Sequence, residues 1–286
     1  GTSVDGRNDM SDSRSNPGSW ISRLLASPKN SRAKTLLVPL IVSLLSAVLV
    51  AGAAISLRPQ YQLNQERNRQ QNILAAADLL QSGKSAESLF DQVEARVVDL
   101  NTGDYATDMD PAMLEQAQAS RDPATRVPVP TDLDKALIKE RSRYAVVYLL
   151  YEADRLKQII LPVYGYGLWS TMYGYVALEA DANTIVGLRF YQHGETPGLG
   201  GEIDNPKWQR LWRGKKIYGA SAEPLVEVVK GAVPKTNDGS DAYQVDGITG
   251  ATLTGRGVTN LLRYWLGPHG FGPFLQTVRE NNEATQ

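Results

Sequence analysis

One uninterrupted apolar segment constrains the fold of this chain more than any other feature. Residues 36–57 read LLVPLIVSLLSAVLVAGAAISL and contain no charged side chain. As an α-helix this segment would be about 33 Å long, against roughly 30 Å for the hydrocarbon layer of a bilayer. It therefore predicts a single membrane-spanning helix, which we assign to residues 33–58. A cleaved signal peptide has a shorter apolar run of about 7–15 residues, but Ala51-Gly52-Ala53 resembles a cleavage site and keeps that alternative open.

The cations that flank this segment predict its orientation. Arg14, Arg23, Lys29, Arg32 and Lys34 precede it, whereas Arg58, Arg67 and Arg69 follow it. Cytoplasmic flanks carry the excess of Lys and Arg in membrane proteins, so the N-terminus is expected in the cytoplasm. Everything after residue 58 is then expected outside the bacterial inner membrane, in the periplasm.

The composition excludes several functional classes. The net charge is −1, and without a basic footprint no nucleic-acid partner is expected. The chain has no cysteine, which excludes iron–sulfur ligation, disulfides and thiol catalysis by its own residues. His193 and His269 are its only histidines, so no metal site is predicted. No nucleophile–base pair stands out, and any redox chemistry is expected from a cofactor.

The remaining chain predicts an α+β domain, with an antiparallel sheet flanked by helices. Apolar and β-branched runs predict strands at residues 96–100, 144–151, 158–162, 172–179, 184–191 and 225–229. Helices are predicted at residues 60–81, 85–93, 111–119, 132–141 and 208–212. Val258, Leu261, Leu262 and Trp265 form the apolar face of a further helix, which Gly267-Pro268 ends. We divide the chain into a flexible tail (1–32), the anchor (33–58), a mixed membrane-proximal part (59–135), the main domain (136–278) and a second tail (279–286).

Three stretches are candidates for ligand contacts. Residues 246–254 read DGITGATLT, where Gly250 and Ala251 leave the backbone accessible just before a helix whose N-terminus suits a phosphate. A threonine-rich turn that caps a helix is the simpler alternative. Residues 193–201, HGETPGLGG, form either a loop that approaches a flat ligand or a plain hairpin connection. Residues 164–170, YGYGLWS, offer Trp169 for stacking on a planar ring or supply core aromatics.

Residues 246–252 resemble the flavinylation motif of the FMN-binding domain family, in which the last threonine carries FMN through a phosphoester bond. The run YWLGPHGFGPFL at residues 264–275 is similar to that of the NqrC family, a group of subunits from the sodium-translocating NADH:quinone oxidoreductases. So are ETPGLG at residues 195–200, VVDL at residues 97–100 and the single N-terminal anchor. The resemblance covers residues 36–275, apart from an insert at residues 104–130.

Lys230 or Lys235 would add to the offset of a phosphate charge at the helix N-terminus that follows Ala251, or is simply a solvated side chain. The resemblance implies that FMN is attached to Thr252 by a separate flavin transferase that uses FAD. It places FMN contacts in the three stretches, at Asp246, Thr249, Gly250, Ala251, Leu253, Thr254, Glu195, Thr196, Leu199, Gly200, Leu168, Trp169 and Ser170. No residue of the chain is expected to be catalytic by itself.

The same resemblance implies a role as an electron-transfer subunit of a respiratory sodium pump. Electrons would pass from a metal centre in neighbouring membrane subunits, through FMN, to the next flavin and toward ubiquinone. The implied partners are the other membrane, flavin and iron–sulfur subunits, the transferase and membrane lipid. The alternatives are the equivalent subunit of an Rnf-type ferredoxin:NAD oxidoreductase, an anchored flavin scaffold without relay function, and an anchored interaction domain without flavin.

Overall fold

The computed structural model describes residues 32–80, 85–114 and 122–284. The predicted tail at 1–32, apart from its last residue, and most of the helix predicted at 111–119 lie outside the described residues. These described residues divide into two units, the first ending at residue 64 and the second beginning at residue 65.

The apolar segment lies in a long helix, α1 (Arg32–Ala76), of 45 residues with Pro39 and Pro59 in its interior. Within the first unit its apolar side chains, such as Leu36, Leu44 and Leu49, are exposed. Within the part of the chain that the structure describes, this is the one helix long and apolar enough to cross a membrane. The helix predicted at 60–81 is its direct continuation and ends at Ala76.

The second unit is built on a five-stranded antiparallel sheet in the order β1-β4-β5-β6-β7. The elements in chain order are α2 (Ala86–Phe90), β1 (Val93–Asp99), β2 (Arg126–Pro128), β3 (Glu140–Ser142), β4 (Tyr144–Glu152), β5 (Arg155–Tyr166), β6 (Thr171–Glu179) and β7 (Ile185–Gln192). Strands β2 and β3 pair with each other, outside this sheet. Strands β4 to β7 follow one another as a meander, and β1 joins the edge by pairing with β4, with Val97 opposite Val146. The antiparallel sheet predicted from the sequence is confirmed.

Both faces of this sheet are covered, which explains why β4 is apolar almost throughout. Its residues alternate between two hydrophobic clusters, with Val147 in one and Val146 in the other. On the second face lie Ile73 and Leu74 from the C-terminal part of α1. Gly187 of β7 has no Cβ, and the Ala76 carbonyl at the end of α1 occupies that space.

The first face is covered by the C-terminal helices. After α3 (Pro206–Gln209) and the short parallel pair β8 (Glu227–Val228) and β9 (Gln244–Val245) come α4 (Thr252–Leu266) and α5 (Gly272–Ala284). The predicted apolar face of α4 is fully buried against the sheet. The Trp265 indole Nε1 donates to the Tyr164 carbonyl over 2.6 Å, which fixes the last turn of α4 on β5.

Two predicted elements differ in the structure. Residues 132–141 do not form a helix, because the Asp134 carboxylate accepts backbone N–H groups from Ile138 (2.9 Å) and Lys139 (2.7 Å) and holds a turn. Leu137 and Lys139 adopt positive φ angles of 53° and 64°, which a right-handed helix does not allow. The strand predicted at 225–229 is reduced to the two residues of β8.

Residues 279–284 of the predicted tail at 279–286 form the end of α5, which continues to Ala284. Two side chains fasten this part of the helix to the turn after β6. Arg279 donates to the Ala182 carbonyl over 3.3 Å, and Asn282 donates to the Ala180 carbonyl over 2.5 Å. The boundary predicted at residue 278 therefore falls inside a helix that packs on the domain.

Candidate functional site

The threonine-rich stretch forms a tight turn into α4. Gly250 adopts a φ of +75°, a left-handed conformation that glycine accommodates without strain. Ala251 occupies the N-cap position without a side-chain cap, and the first turn of α4 contains no acidic residue. The backbone N–H groups at the start of α4 therefore have no side chain of the motif to neutralise their positive end.

The three threonines of the motif have different environments. Thr252, the first residue of α4, is exposed, and no hydrogen bond of its hydroxyl is formed among the described residues. Thr254 is fully buried and donates its Oγ1 hydrogen to Glu195 Oε2 over 2.5 Å. Thr249 is exposed but lies in the turn before the helix. Only Thr252 combines an accessible hydroxyl with the helix N-terminus.

Glu195 joins the three candidate stretches. The residue is only 4% exposed, and its Oε1 accepts the backbone N–H groups of Leu168 and Trp169, each over 3.0 Å. Its Oε2 accepts the hydroxyl of Thr254. The bend at 164–170, the loop at 193–201 and the start of α4 are far apart in the sequence but meet at this one carboxylate.

Glycines make this meeting possible. A Cβ at Gly167 would lie 2.6 Å from Glu195 Oε1, and one at Gly200 would lie 2.5 Å from Thr254 Oγ1. The sequence predicted that glycine backbone in these stretches closely approaches another group. At Gly167 and Gly200 that group is the Glu195 side chain or its partner Thr254.

Further hydrogen bonds fix the loop at 193–201. Ser170 Oγ accepts the Gly194 N–H over 2.6 Å. His193 Nδ1 accepts the Glu195 N–H over 3.1 Å, so its Nε2 carries the proton that bonds Asp204 Oδ2 over 2.8 Å. The Thr196 carbonyl accepts the N–H groups of two following loop residues, Leu199 and Gly201. His193 is thereby engaged in loop structure.

Large apolar side chains remain exposed on the three segments that Glu195 joins. There are four of them, which we call the apolar rim: Leu168, Trp169, Leu199 and Leu253. Trp169 is 64% exposed and Leu253 is 50% exposed. Leu199 approaches the motif closely, since a Cβ at Gly250 would lie 2.9 Å from Leu199 Cδ2.

Thr252 also lines a cavity of about 270 Å³, which we call the basic cavity. Its charged lining residues are Lys230, Arg256, Arg263 and Glu227. Arg256 lies four residues after Thr252, on the same face of α4. Lys230 is one of the two predicted phosphate partners, whereas Arg256 was not predicted, although its i+4 spacing from Thr252 is visible in the sequence. Lys235, the other predicted partner, does not line the cavity.

Asp246, the first residue of the motif, is held in the supporting structure. Its carboxylate accepts the Val233 N–H over 2.7 Å, and its carbonyl accepts Trp208 Nε1 over 2.9 Å. These bonds fasten the turn to the preceding loop and to α3. Asp246 was predicted to contact FMN, but it does not line the basic cavity. Its hydrogen bonds instead hold the motif against the neighbouring segments.

Comparison with known proteins agrees with this architecture. Residues 167–267 match the model of the FMN-binding domain family. The C subunit of the Na(+)-translocating NADH-quinone reductase of Pseudomonas aeruginosa is 48% identical over 256 residues, which cover 88% of this chain and 98% of the relative. This chain belongs to the NqrC family. The family member from Vibrio anguillarum is 41% identical, over 90% of this chain and 98% of that relative.

Two solved NqrC structures have the same fold. The crystal structure of Shewanella oneidensis NqrC superposes with a TM-score of 0.69 at 34% identity, covering 76% of this chain and 99% of that one. The corresponding subunit from Parabacteroides distasonis gives a TM-score of 0.58 at 28% identity, covering 77% and 96%. The α+β architecture predicted from the sequence is confirmed.

Membership of the NqrC family settles the broad function. The chain is a membrane-anchored subunit of an oxidoreductase complex, the Na⁺-translocating NADH-quinone reductase, and it contains an FMN-binding domain. Other subunits of that complex are therefore its partners. The Rnf-type and non-flavin alternatives are set aside by the same findings.

Proposed function

We propose that FMN is joined to Thr252 through a phosphoester bond and that this subunit relays electrons through it toward ubiquinone. The observation that carries the attachment is the contrast between the two threonines of α4. The hydroxyl of Thr252 is exposed at the helix N-terminus, whereas that of Thr254 is buried and committed to Glu195. Thr249 precedes the helix and lacks its free N–H groups.

The surroundings of Thr252 fit the phosphate of FMN. A phosphate there meets the positive end of α4, whose first turn carries no acidic residue. The basic cavity opens beside the same hydroxyl. The helix N-terminus and the cations of the basic cavity would together offset the negative charge of a phosphodiester on Thr252.

The apolar rim fits the isoalloxazine ring. Trp169 and Leu253 present exposed apolar surface that a planar ring would cover, with Leu168 and Leu199 beside them. When bound, FMN supplies a ring that accepts and donates electrons singly. Glu195 fixes the backbone under this surface, so that the ring would rest on a preorganised support.

Attachment requires help from another protein. A threonine hydroxyl is a weak nucleophile without an adjacent base, and the carboxylate of Glu195 is already occupied by Leu168, Trp169 and Thr254. We therefore propose a separate flavin transferase with FAD as the donor. The Thr252 oxygen bonds the FMN phosphorus as the pyrophosphate bond of FAD breaks, AMP leaves, and the hydroxyl proton passes to a base of the transferase.

The membrane arrangement belongs to the same proposal. We propose that the N-terminus lies in the cytoplasm and the FMN-binding domain, residues 136–278, in the periplasm, with α1 held in lipid. The membrane-proximal part, residues 59–135, supplies β1 to the same sheet. Electrons are proposed to arrive from a metal centre in neighbouring membrane subunits and to leave for the next flavin.

Peptide mass spectrometry on the full chain, produced with a flavin transferase, tests the attachment. We expect FMN on the peptide that contains Thr252, and we expect Thr252→Ala to abolish flavin fluorescence of the denatured chain. Thr249→Ala, which changes an exposed threonine of the same motif, is the matched control and should keep the label. FMN found on Thr254 or Thr249 would refute the proposal. If the chain is labelled but NADH does not reduce its flavin within the complex, the relay function is refuted and only a scaffold role remains.

A further inference from the structure

The basic cavity carries more positive charge than its own residues neutralise. Arg263 donates its Nε to the Val226 carbonyl over 2.9 Å and lies 3.5 Å from Glu227, the one acidic residue of the lining. Lys230 and Arg256 are exposed and form no ion pair or hydrogen bond within the described part of the chain. Two unpaired cations therefore face the cavity that Thr252 also lines.

These cations lie near the N-terminus of α4, where positive charge is electrostatically unfavourable. That N-terminus is itself positive, although its effect on a cation is already weaker in the second turn, where Arg256 lies. The first turn of α4 contains no acidic residue and has no side-chain N-cap, and the carboxylate that reaches it, that of Glu195, is bonded to the buried Thr254 hydroxyl on the side of the domain interior. A local conflict of this kind is typical of a functional site whose ligand supplies the missing charge.

The apolar rim and the basic cavity divide the surroundings of Thr252 by chemistry. Leu253, the next residue of α4, belongs to the apolar rim, whereas Arg256, one turn later, lines the basic cavity. A ligand with an apolar ring and an anionic link to Thr252 would direct the ring to the rim and the anion to the cavity. Arginine suits the second task, because its planar fork binds phosphate oxygens in pairs.

We propose that Arg256, assisted by Lys230, binds the phosphodiester oxygens of the flavin on Thr252 and is a positioning residue for its attachment. This inference rests on the proposed function, since it presupposes the link to Thr252. It adds a specific anion subsite, formed by the second turn of α4 and the loop after β8. The two cations also attract the phosphates of FAD while its pyrophosphate bond breaks, AMP leaves and the bond to the Thr252 oxygen forms.

The test uses the full chain, produced without a transferase and then incubated with purified transferase and FAD. Arg256→Gln should incorporate flavin about threefold to tenfold more slowly at low ionic strength, and this difference should narrow in about 0.5 M salt. Arg256→Lys should recover part of the rate. Lys235→Gln is the matched control, because it removes an exposed cation from the same loop but outside the cavity.

A second readout separates phosphate binding from contact with the transferase. After complete labelling, the ³¹P NMR resonance of the phosphodiester should shift in Arg256→Gln relative to wild type and should not shift in Lys235→Gln. A slower rate with an unchanged resonance would mean that Arg256 contacts only the transferase, and it would overturn the inference. Equal rates and equal resonances for both variants would overturn it as well.

The outcomes also distinguish this inference from the function on which it rests. A wild-type chain that takes no flavin, or takes it on a residue other than Thr252, refutes both. A wild-type chain labelled on Thr252, with Arg256→Gln indistinguishable from Lys235→Gln, refutes only the role of Arg256.

Discussion

Glu195 shows how a single side chain organises the site. Its two carboxylate oxygens accept hydrogen bonds from Leu168, Trp169 and Thr254, which belong to two other segments of the chain. All three segments are recognisable in the sequence by their glycines, aromatics and threonines. No sequence pattern indicates that one carboxylate joins them, because such contacts span 26 to 59 residues and leave no local trace.

Removing that carboxylate should destabilise the fold around the site. In Glu195→Ala, two backbone N–H groups and the buried Thr254 hydroxyl lose their acceptor, and each such loss costs about 1–3 kcal/mol. We expect the free energy of unfolding to fall by at least about 3 kcal/mol, measured by thermal unfolding of the full chain in detergent. Flavin incorporation should fall with it, because the apolar rim loses its support.

Two variants calibrate this prediction. Glu195→Gln keeps an acceptor oxygen for the two N–H groups and a donor for Thr254, so it should cost about 1 kcal/mol. Glu152→Gln, which loses an exposed pair with Lys157, should change stability by less than about 0.5 kcal/mol. If Glu195→Ala unfolded at the same temperature as Glu152→Gln, the carboxylate would not hold the three segments together.

Helix α4 is the element that the sequence predicted best. Its apolar face at i, i+3, i+4 and i+7 is the buried face in the structure, since that periodicity is dictated by the helix itself. The failed helix at 132–141 shows the opposite case, because a side-chain–backbone turn at Asp134 overrides the local pattern. Helix α4 also depends on glycines, which the periodicity does not explain.

Gly257 lets α4 approach the end of β5. A Cβ at this position would lie 2.7 Å from the Tyr166 carbonyl oxygen and 3.0 Å from Gly167 Cα, both of which are backbone atoms that cannot turn aside. Gly257→Ala gains up to about 1 kcal/mol of helix propensity but should still destabilise the chain by about 1–3 kcal/mol. Thermal unfolding measures the balance.

Gly255→Ala, in the same helix, provides the comparison. Its Cβ would meet only the Val228 side chain, at 3.1 Å, which can adjust. We expect a smaller cost than for Gly257→Ala. A Gly257→Ala chain as stable as wild type would show that α4 is not held against the bend by this contact.

For the whole molecule, the sequence predicted an anchor followed by an α+β domain because the pattern that indicates each of them extends over a long stretch of the chain. The apolar run of α1 and the alternating strands each extend over many residues, so single exceptions do not obscure them. The meander of β4 to β7 follows from their short connections. The addition of β1 to the edge of the sheet could not be read from any local pattern, because it pairs with β4 across an intervening segment.

The orientation in the membrane can be tested with single cysteines, since the chain has none of its own. Asn237→Cys, at an exposed position of the second unit, should react with a membrane-impermeant maleimide in intact spheroplasts. Ser13→Cys, before the anchor, should react only after the inner membrane has been opened. The reverse pattern of reactivity would refute the proposed topology, and loss of residue 13 from the mature chain would indicate a cleaved leader.

The exposure of Thr252 has a consequence for the order of maturation. Because the hydroxyl of Thr254 is enclosed while those of Thr249 and Thr252 are accessible, the finished fold withdraws one of the three threonines of the motif from a transferase. In an unfolded chain all three hydroxyls are equally accessible, and the enclosure of Thr254 would offer no discrimination. A chain labelled after folding should therefore carry no flavin on Thr254, and of the two threonines that stay accessible only Thr252 stands at the N-terminus of α4.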